Sequence, residues 1–169
     1  MSDPRNLSYL VRNIATNACT NVVVESKAVA DKKGSASLIA EPDSEKSYLS
    51  VTQDQTPLMV VETITLDDFF AEAGWPPIGL VKMDIEGSEG AALAGMRELS
   101  RRSPEMRLIM EFNLMSMQRA GTSRNELLDL LMDLGFRRGH IIEQGMKPFS
   151  LPDGFPNTQA VYNLLLVKE

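Results

Sequence analysis

Leu80-Val81-Lys82-Met83-Asp84-Ile85-Glu86-Gly87-Ser88-Glu89 is the stretch whose reading decides the fold. Residues 78–85 read as a strand, too apolar at its centre for a sheet edge. Carboxylates follow, then a glycine turn, then a helix start with Ser88 as cap and Glu89 in the first turn, favourable against the helix dipole. In open α/β sheets, ligands lie at the carboxyl ends of strands. Asp84 and Glu86 alternate with Met83 and Ile85, so they are expected on one face of the strand end. Lys82 lies one pair earlier on that face. This trio can relay charge or orient a substrate hydroxyl. The same carboxylates can instead only satisfy loop and helix N–H groups.

Downstream, Leu93, Met96 and Leu99 line one helical face, and Met106–Phe112 reads as a strand in which Glu111 repeats the strand-end carboxylate. If the two strands are neighbours, Glu111 approaches Asp84. Three carboxylates there have the oxygen chemistry of a hard divalent cation site, although such a Glu more often pairs with Lys or Arg. Ser123 with Glu126 is a capping box that opens a helix with Leu127, Leu130, Leu131 and Leu134 on one face. Strands are expected at Arg137–Ile142 and Val161–Val167, forming an antiparallel hairpin at one sheet edge across a Pro/Gly-rich loop, 145–157.

Upstream, Asp3 and Pro4 start a helix with the stripe Leu7, Leu10, Val11, Ile14, and Asn17 stops it. Val22–Val24 reads as a buried strand. Asp31-Lys32-Lys33-Gly34 is turn chemistry before a strand at Ser35–Ile39. The polar stretch Glu41–Thr56 reads as a long loop, either an exposed connection or a lid. Leu58–Thr63 is strand-like, and Thr65-Leu66-Asp67-Asp68 opens a helix that Gly74-Trp75-Pro76-Pro77 breaks. Strand–helix–strand alternation makes the chain a single α/β domain, 1–169, with a mainly parallel sheet.

Composition bounds the function. The 169 residues carry 17 basic and 23 acidic side chains, net charge −6, pI near 4.9. That excess argues against nucleic acid as partner. Mean hydropathy of −0.13 and the lack of a long apolar run argue against a membrane. Single Cys19 and His140 exclude a disulfide within the chain and a multi-cysteine or His-rich metal cluster, and a reducing cytoplasm is the expected home. Gly-x-Gly-x-x-Gly, Walker-A and Gly-x-Ser-x-Gly patterns are absent from the sequence.

VKMDIEGSEGAALAGM, residues 81–96, resembles the signature of FkbM-type S-adenosylmethionine-dependent methyltransferases, a Lys-x-Asp-x-Glu-Gly-x-Glu strand end followed by a Leu-x-Gly helix. Other pieces resemble the family in order: DPRNLSYLVRNIATN, NVVVESKAVADKKGSASL, VETITLDDFF, RLIMEF and YNLLLVK. The resemblance implies a Rossmann-like methyltransferase sheet of order 3-2-1-4-5-7-6, here without the family's strands 1 and 2 and their glycine-rich cofactor loop. It implies methyl transfer from S-adenosylmethionine to an oxygen of a sugar or related small metabolite. On it, Asp84 would orient or deprotonate the acceptor, Glu86 and Glu111 would shape its pocket, and Lys82 would hold Asp84 or a substrate oxygen. The turn carrying Ser26, Ala28 and Asp31 would flank the adenine. Two other readings stay open: a non-catalytic remnant acting as a binding or dimerisation module, and a metal-dependent enzyme built on Asp84, Glu86 and Glu111. If the cofactor loop is missing, the chain should bind S-adenosylmethionine weakly and self-associate through an exposed sheet edge. Cofactor titration and analytical ultracentrifugation on one sample check this. A well-behaved monomer with micromolar cofactor affinity would refute it.

Overall fold

The computed structural model describes residues 4–40, 47–50 and 59–168. Period-two burial builds the larger sheet. In β6, Arg107–Phe112, residues Leu108, Met110 and Phe112 are fully buried while their neighbours are not. In β9, Tyr162–Lys168, Leu164 and Leu166 do the same. Strand β5, Leu80–Met83, pairs parallel with β6, and β9 lies antiparallel between β6 and β7, Phe136–Ile141. Strand β8, Lys147–Ser150, closes the other edge, giving the order β5-β6-β9-β7-β8.

One face of this sheet is packed by helices. Leu93 of α3, Glu89–Ala94, Leu99 of α4, Arg97–Arg102, Met117 of α5, Leu114–Arg119, and Leu127 and Leu131 of α6, Arg124–Asp133, share one apolar cluster with the inward strand residues. The capping box of α6 forms as the sequence predicts, with Ser123 Oγ accepting from the Glu126 N–H and Glu126 accepting from the Ser123 N–H.

A four-stranded sheet, order β1-β4-β2-β3, precedes it in the chain. It holds β1, Ala28–Val29, β2, Gly34–Ala40, β3, Ser47–Ser50, and β4, Met59–Ile64. Thr65 caps α2, Leu66–Glu72, by accepting from the Asp68 N–H at 2.9 Å. Asp67 reaches out of α2 and accepts the first free amides of α4, Glu98 N–H at 3.0 Å and Leu99 N–H at 2.7 Å. The Asp67 N–H donates to the Gly95 carbonyl at 2.9 Å. A Cβ on Gly95 would stand 2.3 Å from the Ala30 carbonyl oxygen. This contact ties the loop after β1 to the α3–α4 junction.

Several expectations are corrected. Val22–Val24 is not a buried strand: the segment pairs with no described strand and Val23 is 84% exposed. Apolar character marks a segment that needs a neighbour, and here none of the described strands supplies one. Strand β5 is the edge of its sheet, not its interior, and Leu80 is 55% exposed. The expected loop at Glu41–Thr56 contains β3, paired antiparallel with β2; residues 41–46 and 51–56 lie outside the described residues, as does Asp3. The expected loop at 145–157 contains β8, so the hairpin at the edge is β7–β8, and β9 sits inside the sheet. Val11 is exposed in α1, Pro4–Thr16, leaving Leu7, Leu10 and Ile14 as its half-buried stripe.

Asp67→Ala should cost about 1–2 kcal/mol, because two helix-start amides lose their acceptor. Urea unfolding read by circular dichroism checks this, and a change under about 0.3 kcal/mol would refute the capping role.

Candidate functional site

Strand β5 ends at Met83 and the chain leaves it through a turn that only certain residues allow. Glu86 adopts φ +53°, in the left-handed region that a residue with a side chain enters at a cost. Gly87 follows at φ +102°, and a Cβ there would stand 2.5 Å from the Ser116 carbonyl oxygen. Glycine is therefore required by both conformation and space. Ser88 makes no side-chain cap. Glu89 instead folds back over the turn, where its Oε1 accepts from the Ile85 N–H at 3.0 Å.

Lys82 and Asp84 stand together as expected. Nζ donates to Oδ2 at 2.9 Å, with both side chains about half exposed. Met83 pairs with Met110 in register, and the next residues along are Asp84 and Glu111. Glu111 in turn pairs with Asn163 of β9. Glu111 and Asn163 therefore face each other, and Asp84 leaves β5 one residue beyond its last pair with β6. Asn163 is held by Glu143, which accepts from its backbone N–H at 2.9 Å and its side-chain amide at 2.7 Å. The Asn163 side-chain amide holds the Glu143 carboxyl below the usual range. Glu86 does not continue the alternation: strand geometry stops at Met83, and the left-handed turn redirects residue 86.

Glu89 is the residue that strand-end reasoning passed over. It is 1% exposed, and its Oε2 is buried with no hydrogen-bond partner. Burial pushes its carboxyl up, against the hydrogen bonds from backbone N–H groups, and the charge of Glu111 adds to the rise. The sequence signal was a carboxylate four residues after Ile85, across the turn between β5 and α3.

Ser26, Ala28 and Asp31 are placed on the other sheet. Ala28 pairs with Thr63 in the parallel β1–β4 ladder and its side chain packs with Leu38 and Val61, so it is a core position of this sheet. Ser26 and Asp31 are exposed on either side of β1. Among the described residues no three Asp, Glu, His or Cys side chains converge as a metal site, so Asp84, Glu86 and Glu111 do not form the cation cage weighed above. Cys19 is exposed rather than a core residue, and His140 is half-buried in β7 with a buried, unpartnered Nδ1.

A family model described as the methyltransferase FkbM domain matches residues 2–138. No curated protein matches the chain, and no solved structure does. Among the described residues no helix is long and apolar enough to cross a membrane.

Because burial raises the Glu89 pKa, the folded chain holds that proton more tightly than the unfolded chain does. The resulting stability is present below the unfolded value near 4.5 and is lost as pH rises through the folded value. Glu89→Gln should therefore melt higher than the parent at pH 8, with the difference closing toward pH 4. Glu89→Ala should lose about 1–3 kcal/mol by stranding the Ile85 N–H. Thermal melts across pH check both, and a pH-independent difference for Glu89→Gln would refute the buried-acid assignment.

Proposed function

The chain belongs to the FkbM methyltransferase family, and from that premise we propose that it moves a methyl group from S-adenosylmethionine to an oxygen of a sugar or related small hydroxylated metabolite. The observation that carries the acceptor side is the Lys82–Asp84 pair at the carboxyl end of β5, beside the strand that carries Glu111. Ser26 and Asp31 would hold the adenosine end of the cofactor, with the β1 backbone at Ala28 between them. When bound, S-adenosylmethionine supplies an electrophilic methyl carbon on a positively charged sulfur.

Methyl transfer in line between two heavy atoms needs alignment above all. Asp84 accepts the proton of the acceptor hydroxyl and so fixes where its lone pair points. Lys82 holds the Asp84 carboxylate in place through the 2.9 Å contact. Glu111 offers a second acceptor for a neighbouring hydroxyl of a polyol, one strand away. Glu86 sets the wall where the chain turns, next to the glycine that passes close to the Ser116 carbonyl. The buried acid Glu89 keeps that turn closed beneath them. The single exposed thiol and the absence of a membrane-crossing helix among the described residues support a cytoplasmic site of action.

Transfer of labelled methyl from S-adenosylmethionine to a panel of sugars and polyols tests the reading. Asp84→Asn should lower kcat/KM by about 100-fold or more while the melting curve stays that of the parent. Turnover within about twofold of the parent would remove Asp84 from the chemistry. Glu111→Gln should raise the acceptor KM and leave S-adenosylhomocysteine affinity unchanged; the reverse pattern would put Glu111 on the cofactor side. Activity that survives EDTA is expected, and loss restored by Mn²⁺ would refute the metal-free scheme.

A further inference from the structure

Strand register sets two arginines near each other at the end of the larger sheet opposite Asp84. Arg138 of β7 pairs with Val167 of β9 and with Ser150 of β8. Leu166 pairs with Leu108, and the next residues along, Val167 and Arg107, continue that ladder inside both strands. Leu108, Leu166 and Gly139 are buried on the helix-packed side, so Arg107, Val167 and Arg138 stand on the opposite face. The two arginines are two strand spacings apart, about 10 Å, with one valine between them. With His140, Ser150, Pro104 and Pro148 they line a cavity of about 700 Å³, a size that takes a small molecule.

We propose that this cavity binds a phosphate monoester, its phosphate held between Arg107 and Arg138. Two like charges across a single side chain repel, and a dianion between them turns the repulsion into charge-assisted hydrogen bonds. A carboxylate has two oxygens and fills one guanidinium fork. A phosphate ester has three terminal oxygens and a second charge, enough for both forks. Among the described residues the Arg107 guanidinium has no hydrogen-bond or ion-pair partner, not even Glu105 two residues away on the cavity wall. Lys168 is committed elsewhere, because its Nζ donates to the Ser100 and Ser103 carbonyls. His140 lies on the arginine face two residues past Arg138. Its Nδ1 is buried without a partner, which leaves Nε2 as the ring nitrogen that can meet a ligand. The Ser150 hydroxyl adds a neutral donor beside Arg138, and Pro104, Pro148 and Val167 give the organic part of the ester an apolar wall.

The cavity is separate from the carboxyl end of β5. The strands that the family order sets beside β5 would join the sheet at its other edge, whereas β6, β9, β7 and β8, which wall the cavity, are consecutive neighbours within this chain. Binding is read without S-adenosylmethionine or acceptor, so it stands or falls independently of methyl transfer.

His140 is the single histidine of the chain, so its ring proton resonances report on the cavity without assignment. Titration with glucose-6-phosphate and with adenosine monophosphate at fixed pH should shift them and saturate at about 0.1–1 mM, and glucose and adenosine should bind about tenfold more weakly or worse. The tighter ester shows which organic body the apolar wall prefers. Arg107→Gln and Arg138→Gln should each weaken binding about tenfold or more. Arg107→Lys keeps the charge, loses the fork, and should weaken it about threefold. Glu105→Gln should tighten it about twofold by removing a like charge. Asp84→Asn, at the other end of the sheet, should leave it within about twofold of the parent. Matching far-ultraviolet spectra and melting curves establish that each variant is folded. The absence of a saturable shift up to about 10 mM of either ester overturns the proposal. So does equal binding of the unphosphorylated compounds, or folded Arg107→Gln and Arg138→Gln chains that bind like the parent.

Discussion

Everything at the carboxyl end of the larger sheet depends on the space between Gly87 and the Ser116 carbonyl, where no Cβ fits. Helix α5 lies against the turn that leaves β5, and the chain passes there through two consecutive left-handed residues, Glu86 and Gly87. Strand hydrogen bonds end at Met83 and helix hydrogen bonds have not begun. Glu89 fills that gap by folding its carboxylate back onto the Ile85 N–H. The price is a nearly unhydrated acid beside Glu111, and its raised pKa is the electrostatic mark of it. A strained turn, a required glycine and a perturbed acid thus share residues 86–89.

The two sheets meet through a second constraint. Asp67 serves α2 and α4 at once, its backbone in one helix and its carboxylate at the start of the other. Gly95 lets the Ala30 carbonyl come close. The segment that could face a cofactor and the strand that carries Lys82 and Asp84 are therefore held by neighbouring parts of one junction, which a helix cap and a missing methyl group define.

Much of this was legible in the sequence. The Ser123–Glu126 box, the Thr65 cap and the strand at 107–112 carry local signals, and local hydrogen bonding forms them as expected. The Lys82–Asp84 pair was legible because period two survives up to Met83. Glu86 was misplaced because alternation says nothing about where a strand stops. Short strands β3 and β8 escaped because four residues are too few for a period, and Pro148 argued against the second. Helix α5 escaped for the same reason, although Asn113, which accepts from the Ser116 N–H, is an N-cap residue by type. The position of β5 at an edge could not be read locally at all. Apolarity reports that a strand needs burial, whereas the identity of its neighbours is a property of the whole chain.

The place of β9 has a consequence for how the molecule is made. This strand is the last element in chain order, yet it is inserted between β6 and β7. A ribosome releases β5, β6, α5, α6 and the β7–β8 hairpin before any residue of β9 is available. Through that interval β6 has one unpaired side, β7 has another, and the floor that Leu164 and Leu166 complete is open. The two halves of the larger sheet cannot be joined by a gradual zipper from one end. They wait, and the final strand closes both at once, so the vectorial order of synthesis makes the completion of this core a late and concerted event.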